Sequence, residues 1–164
     1  MKKAYVFACL LLLTATVAAQ GFPLHIKVDG LNCTTSAGTN MFDALSWSWG
    51  TSSPAITGPG GIRAGKASIS DLSIMKVFDA CSPILFNEIG AGKVFSGLTL
   101  TQMDNENNII FTLTLTNVVV EAQQFSGSNE RPTESDSFNF EKVCIVDGST
   151  SASACFDKTR GRAR

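Results

Sequence analysis

The side chains of this sequence that could do chemistry are few: five cysteines, Cys9, Cys33, Cys81, Cys144 and Cys155, and one histidine, His25. Histidine is the usual general base near neutral pH. His25, however, sits in an early β pattern where it alternates with Leu24 and Ile26, and nothing at a recognisable spacing marks a nucleophile beside it. Asp71 and Glu134 stand at unrelated positions and read as turn, cap or surface carboxylates rather than an acid–base pair. With one histidine and no Cys-x-x-Cys, a metal site is not expected either. The sequence therefore points away from an enzyme and from a bound cofactor.

The cysteines carry the remaining chemistry, and their meaning depends on compartment. Lys2 and Lys3 precede an uncharged apolar run, Ala4 to Val17, and small residues at Val17-Ala18-Ala19 lead to Gln20. This is the pattern of a secretory signal peptide, with cleavage expected near Ala19. The run is short for a membrane span, so no stable span is expected after cleavage. Cys9 leaves with the leader, and Cys33, Cys81, Cys144 and Cys155 remain. Four cysteines in an exported chain suggest disulfides in one of three connectivities. Cys144 and Cys155 flank a short loop and are the easiest pair to close, which would leave Cys33 with Cys81. Free buried thiols are the other reading.

Charge narrows the partners. The formal net charge is −1, and loss of Lys2 and Lys3 leaves 11 basic and 14 acidic side chains. No basic footprint for nucleic acid is present. The length, 164 residues, suits one domain with a real core. The expected organisation is a leader over 1–19, a β domain over 20–147 and a basic tail over 148–164 that carries Lys158, Arg160, Arg162 and Arg164 as a solvated terminus.

The elements that position these residues read as strands. In Lys93 to Glu121, Leu98 and Leu100 alternate with threonines, as do Phe111, Leu113 and Leu115, and Asp104 to Asn108 supplies turn residues between them. Period-two alternation puts the apolar side chains on one face, and β-branched threonine suits the other. The stretch predicts a long antiparallel hairpin able to form the wall of a barrel or sandwich. Phe22 to Gly30 reads as a first strand, and Phe42 to Gly50 as a second with Leu45, Trp47 and Trp49 on one face. Gly65 to Lys76 reads as a third strand, bulged near Ser70-Asp71. Thr133 to Val146 reads as a last strand, bulged at Glu141-Lys142 so that Phe138, Phe140, Val143 and Ile145 share a face. Gln123 to Arg131 reads as a loop. Asp79 to Gly90 is the one helical segment, with Ser82 as cap, Pro83 at its start and Leu85 and Ile89 on one face. Thr51 to Ala64, rich in glycine and proline, reads as a long loop of the kind that usually has a task. In it Ile56, Gly58, Pro59, Gly60, Gly61 and Ile62 form a surface able to lie flat against a neighbour, with the isoleucines as anchors.

Several stretches together resemble one family. Ser46-Trp47-Ser48-Trp49-Gly50, Gly65-Lys66 to Asp71-Leu72-Ser73, Ala80-Cys81-Ser82-Pro83, Arg131-Pro132-Thr133-Glu134 and Phe138 to Val143 occur in an order and spacing similar to the haemolysin-coregulated protein (Hcp) family, the tube subunit of type VI secretion. The resemblance runs from about Phe22 to Val146. It implies an all-β fold with one short helix, a barrel of two antiparallel sheets. It further implies six-membered rings stacked into a secreted tube, with secretion-system spike, sheath and effector proteins as partners. By position, the loop from Thr51 to Ala64 would contribute contacts between subunits and rings. The leader and the added cysteines lie outside the family pattern. They make a secreted or periplasmic location the expectation, and an exported stand-alone module with the same barrel the alternative.

Overall fold

The computed structural model describes residues 22–160 and the backbone alone of 162–163. The leader expected over 1–19 lies outside the described residues. β1 (Leu24–Val28) buries Leu24, Ile26 and Val28, as its alternation predicts. A minor hairpin, β2 (Thr34–Thr35) and β3 (Gly38–Thr39), occupies the polar stretch that follows. The expected second strand is instead two strands, β4 (Met41–Asp43) and β5 (Ser46–Ser48). β4 pairs with β1, and the chain then crosses at Ala44-Leu45 to another part of the sheet. The crossing breaks the alternation, so Leu45 is 58% exposed while Trp47 and Trp49 pack against the core.

The region from Thr51 to Ala64 is not a loop. It forms β6 (Thr51–Ser52), β7 (Ala55–Gly58) and β8 (Gly61–Ala64). The third expected strand divides at Ser70-Asp71 into β9 (Ser68–Ile69) and β10 (Leu72–Val77). The helix, α1 (Ser82–Ala91), begins one residue after its Cys81 cap position, with Pro83 in the first turn and Gly92 in the left-handed conformation closing its end. β11 (Phe95–Met103) and β12 (Ile109–Ser126) are the predicted hairpin, and β12 runs on to Ser126, taking the first part of the loop expected over Gln123 to Arg131. β13 (Thr133–Asp147) follows.

The tail is also a correction. β14 (Ser153–Asp157) pairs with β13, and β15 (Arg162–Ala163) pairs with β14, so this stretch is a sheet edge rather than a solvated terminus. Gly148 makes the turn into it possible: a Cβ there would collide with the backbone oxygen of Ile109, while its N–H donates to the Ile110 carbonyl at 3.0 Å.

One curled antiparallel sheet results, in the order β15-β14-β13-β12-β11-β1-β4, with β10 on β13 and β5 on β10. β12 and β13 are long enough to serve both halves of it. The outer half of β13, Lys142 to Val146, holds β14, and its first half, Thr133 to Phe138, holds β10. Both long strands change face at one level. Leu115 and Val118 are buried three residues apart on β12, as are Phe140 and Val143 on β13. Between them stand Asn117, with φ of 51°, and Glu141, whose Oε2 accepts a 2.7 Å bond from Asn117 Nδ2. This is where the bulge at Glu141-Lys142 was expected, but the left-handed residue is on the partner strand. A separate register shift lies on β12 between Val120 and Ala122. The core holds Ile26, Phe42, Leu85, Phe95, Leu98, Leu100, Leu113, Leu115 and Phe138, all essentially inaccessible to solvent. α1 packs on β12 and covers part of it.

Candidate assembly surface

The segment from Ser46 to Val77 is a single two-stranded ribbon with bends. β5 pairs with β10, β6 with β9, and β7 with β8. Ser70 marks the first bend, where its N–H donates to the Gly50 carbonyl at 3.0 Å and its hydroxyl accepts from the Gly50 N–H at 2.9 Å. Ser53 and Pro54 mark the second, where the Gly65 N–H donates to the Pro54 carbonyl at 2.7 Å and the Ser53 hydroxyl donates to the Gly65 carbonyl at 2.8 Å. Pro54 lies so close to Gly65 that a Cβ there would come within 2.7 Å of the proline ring. Beyond this braced base, every residue of β7 and β8 is exposed, and among the described residues the two strands pair only with each other.

The register places the expected contact residues. Gly58 and Gly61 face each other beside Pro59 and Gly60 at the tip, and Gly61 has φ of 96°. Ile56 is opposite Arg63, and Thr57 is opposite Ile62. Directly opposed residues share a face and neighbours along a strand alternate. Ile56 and Ile62, 57% and 77% exposed, therefore project from opposite faces of the ribbon. Ala55, Thr57, Ile62 and Ala64 form one face; Ile56 and Arg63 form the other.

The cysteines pair as the shorter loop suggested. Cys144 is joined to Cys155 and Cys33 to Cys81. The first bond staples β14 to β13 at directly opposed positions. The second ties the N-terminus of α1 to the end of the loop after β1. A cleft of about 160 Å³ beside Cys155 is walled by Trp49, Ile69, Val143, Ile145 and Phe156, where the base of the ribbon lies over β13 and β14.

His25 is one of a cross-strand pair, with Asp43 Oδ1 2.6 Å from its Nδ1. Asp71 faces Lys158 at 3.4 Å. Glu134 is not the surface or turn carboxylate expected: it is 2% exposed, its Oε1 lies 2.7 Å from Lys76 Nζ, and it accepts from the Ser82 hydroxyl at 2.9 Å. Lys76, fully buried, also reaches Asp79 at 2.8 Å and lies over the Phe42 ring. Ser82, expected as the helix cap, instead joins this ionic cluster from inside α1. Asp136 completes the cluster. Its carboxyl is pushed up to about 7, first by burial and then by the nearby Glu134, while Lys76 acts in the opposite sense. The sequence carries a signal for this group: Lys76 is in phase with Leu72 and Ile74, and Glu134 and Asp136 are in phase with Phe138, so all three charges face inward. Among the described residues no group of histidine, cysteine and carboxylate side chains is arranged to hold a metal ion.

The sequence pattern of the family described as "Type VI secretion system effector, Hcp" matches residues 19–145. The chain belongs to the Hcp family. No curated protein sequence matches it. Solved Hcp structures share the fold at low identity. A structure titled as a type six secretion system protein superposes with a TM-score of 0.75 at 20% identity, covering 88% of this chain and all of the other. Hcp1 from Salmonella typhimurium gives 0.74 at 20% identity with the same coverage. A type VI secretion system effector from Yersinia pestis gives 0.66 at 24% identity, covering 82% of this chain and 98% of that one. The all-β architecture with one helix is thus the Hcp barrel. Among the described residues no helix is long and apolar enough to cross a membrane.

Proposed function

We propose that this Hcp chain is a structural subunit that closes into six-membered rings, which stack into a tube and are secreted. The observation that supports this most directly is the β7–β8 hairpin. It is a braced, wholly exposed ribbon with two large apolar side chains, on a barrel whose core is otherwise complete. An isolated two-stranded ribbon is marginal in water, and contact with a neighbour would supply the burial it lacks. A ring needs a heterologous contact that closes by rotation, and a ribbon standing off one side of the barrel is suited to one. On this reading the chain is no enzyme, and its partners are further copies of itself together with the spike, sheath and effector proteins of a secretion machine.

Two disulfides and the leader pattern favour a second reading, an exported module that keeps the barrel without the tube. Both readings place the mature chain beyond the cytoplasm after cleavage near Ala19. Electron microscopy and sedimentation of the mature protein separate them. Six-fold rings are expected, and a monomer at high concentration would leave only the stand-alone module.

A further inference from the structure

The base of the ribbon does not fill the space beneath it. On β13 and β14, Val143 is opposite Phe156 and Ile145 is opposite Ala154, so these four share a face, and Trp49 and Ile69 complete the walls over it. The methyl group of Ala154 occupies little of the gap, which leaves the 160 Å³ cleft in a layer that would otherwise close-pack. The cleft shares Ile69 and Phe156 with a depression of about 370 Å³ that carries Lys66 and Lys158. It shares Ile145 and Ala154 with another, of about 400 Å³, that carries Ile110 and Asp147. The three form one groove. A polar group in its wall is unanswered: Trp49 Nε1 is shut off from solvent and has no hydrogen-bond acceptor. From these observations we infer that the groove is a binding site for a fatty acid, whose carboxylate accepts from Trp49 Nε1 beside Lys66 and whose chain runs past Ile145 and Ala154 toward Ile110.

Charge fixes the class of ligand and its direction. Lys158 is engaged by Asp71 at 3.4 Å and by Asn139 Oδ1 at 3.2 Å. Lys66 is exposed and makes no ion pair among the described residues, so it is the cation with capacity left for an anion. At the other end, bonds from Ser149 and Thr150 hold Asp147 ionised, at about 2, and its charge repels an acid head. The acid therefore lies with its head toward Lys66 and its tail toward Ile110. A buried donor without an acceptor is costly, and a carboxylate oxygen satisfies the indole N–H better than water can among apolar walls. From Val143 to Asp147 β13 covers roughly 14 Å at a strand's rise of about 3.4 Å per residue, the reach of a medium-length acyl chain. The site uses the base of the ribbon and neither β7 nor β8, so it stands whether or not the chain forms rings.

The two tryptophans make the test direct. Mature protein labelled with nitrogen-15 gives one indole N–H signal each for Trp47 and Trp49, and Trp49→Phe identifies which is which. Sodium decanoate is titrated in below the concentration at which it forms micelles. The Trp49 signal should move downfield and saturate, because its proton gains an acceptor. The Trp47 signal should hardly move, since that N–H already donates to Gln102 Oε1. Dodecanoate should bind roughly tenfold more tightly than decanoate, through two further methylenes removed from water. Decyltrimethylammonium, the same chain with a cationic head, should bind at least tenfold more weakly. Lys66→Ala should weaken decanoate several-fold. Ala154→Phe, which fills the groove at an exposed position, should abolish saturable binding while a β-type far-ultraviolet spectrum shows the fold intact. No saturable movement of the Trp49 signal, equal movement of both signals, or binding indifferent to both substitutions would overturn the site. Equal affinity for decyltrimethylammonium would overturn the acid as its ligand. Capture on phosphatidylglycerol vesicles without any response to decanoate would also overturn it, in favour of a membrane surface.

Discussion

Asp136 is the residue whose chemistry is most at odds with its surroundings. Both of its carboxylate oxygens are buried without a hydrogen-bond donor, as are Glu134 Oε2 and Gln123 Oε1. Protonation relieves this, because a neutral carboxyl can donate to Glu134. The charged groups around it come from every packed element: Lys76 on β10, Glu134 on β13 and Asp79 before α1, with neutral Gln123 on β12. The folded value of about 7 lies above the ordinary 3.8, so the folded state holds the proton more tightly than the unfolded one. Stability from this group is complete below the unfolded value and is lost as pH rises through about 7. Asp136→Asn should remove that loss and place amide hydrogens near two orphaned acceptors. At pH 8 the variant should be more stable than the parent by about 2–4 kcal/mol, with little difference below pH 4. Denaturant unfolding across that range checks it. A parent whose stability stays flat from acid to pH 8 would show that Asp136 does not titrate there.

At the scale of elements, the two places where the sheet is forced into shape each make a prediction. β14 lies next to the edge, with only the two-residue β15 outside it, and is held to β13 by five opposed pairs and the Cys144–Cys155 bond, whose cysteines are 11 positions apart. Replacing both cysteines by serine should lower stability by about 2–4 kcal/mol. Amide exchange should quicken in β14 well before β12, since the β14–β15 flap can open without the rest of the sheet. Equal exchange in the two proteins would mean that the backbone ladder alone holds the tail. Asn117 holds the left-handed conformation at the level where β12 and β13 change face. Asn117→Gly should be close to neutral, whereas Asn117→Val should cost about 1–2 kcal/mol, because a β-branched side chain resists positive φ. Thermal melts of the pair decide this. The same two elements show what the sequence could and could not reveal. The Leu–Thr alternation of β11 and β12 was plain, because one face of each strand meets core and the other solvent. The double change of face was visible only as a parity slip on β13, because the residue that permits it lies on the partner strand. The tail strands were hidden since Ala152 to Ala154 are small, and their order comes from pairing and a disulfide rather than from burial. The Thr51 to Ala64 ribbon read as a loop for a related reason: with no side of it covered, it lacks the alternation that burial imposes on a strand.

At the scale of the molecule, barrel and hairpin separate cleanly. The core residues come from β1, β4, β10, β11, β12, β13, α1 and the loop positions Leu31, Cys33 and Cys81, and none comes from β7 or β8. Folding of the barrel should therefore be indifferent to the hairpin, while assembly should depend on it. The structure supplies a place to cut. The Pro54 carbonyl and the Gly65 N–H already meet at 2.7 Å, so residues 55–64 can be removed and the two ends joined through a short glycine bridge without moving β6 or β9. The shortened protein should keep a β-type far-ultraviolet spectrum and a melting temperature within a few degrees of the parent, since it loses no buried apolar side chain. It should sediment as a monomer under conditions where the parent forms rings. The deletion also removes Arg63, so any salt-sensitive part of assembly should go with it: raising ionic strength should shift the parent toward monomer and leave the shortened protein unchanged. If the shortened protein still forms rings, closure resides in the open sheet edges at β4 and β15, and the hairpin is left with stacking alone. If it fails to fold, the barrel depends on the ribbon despite contributing all of the core itself, and the two are not separable.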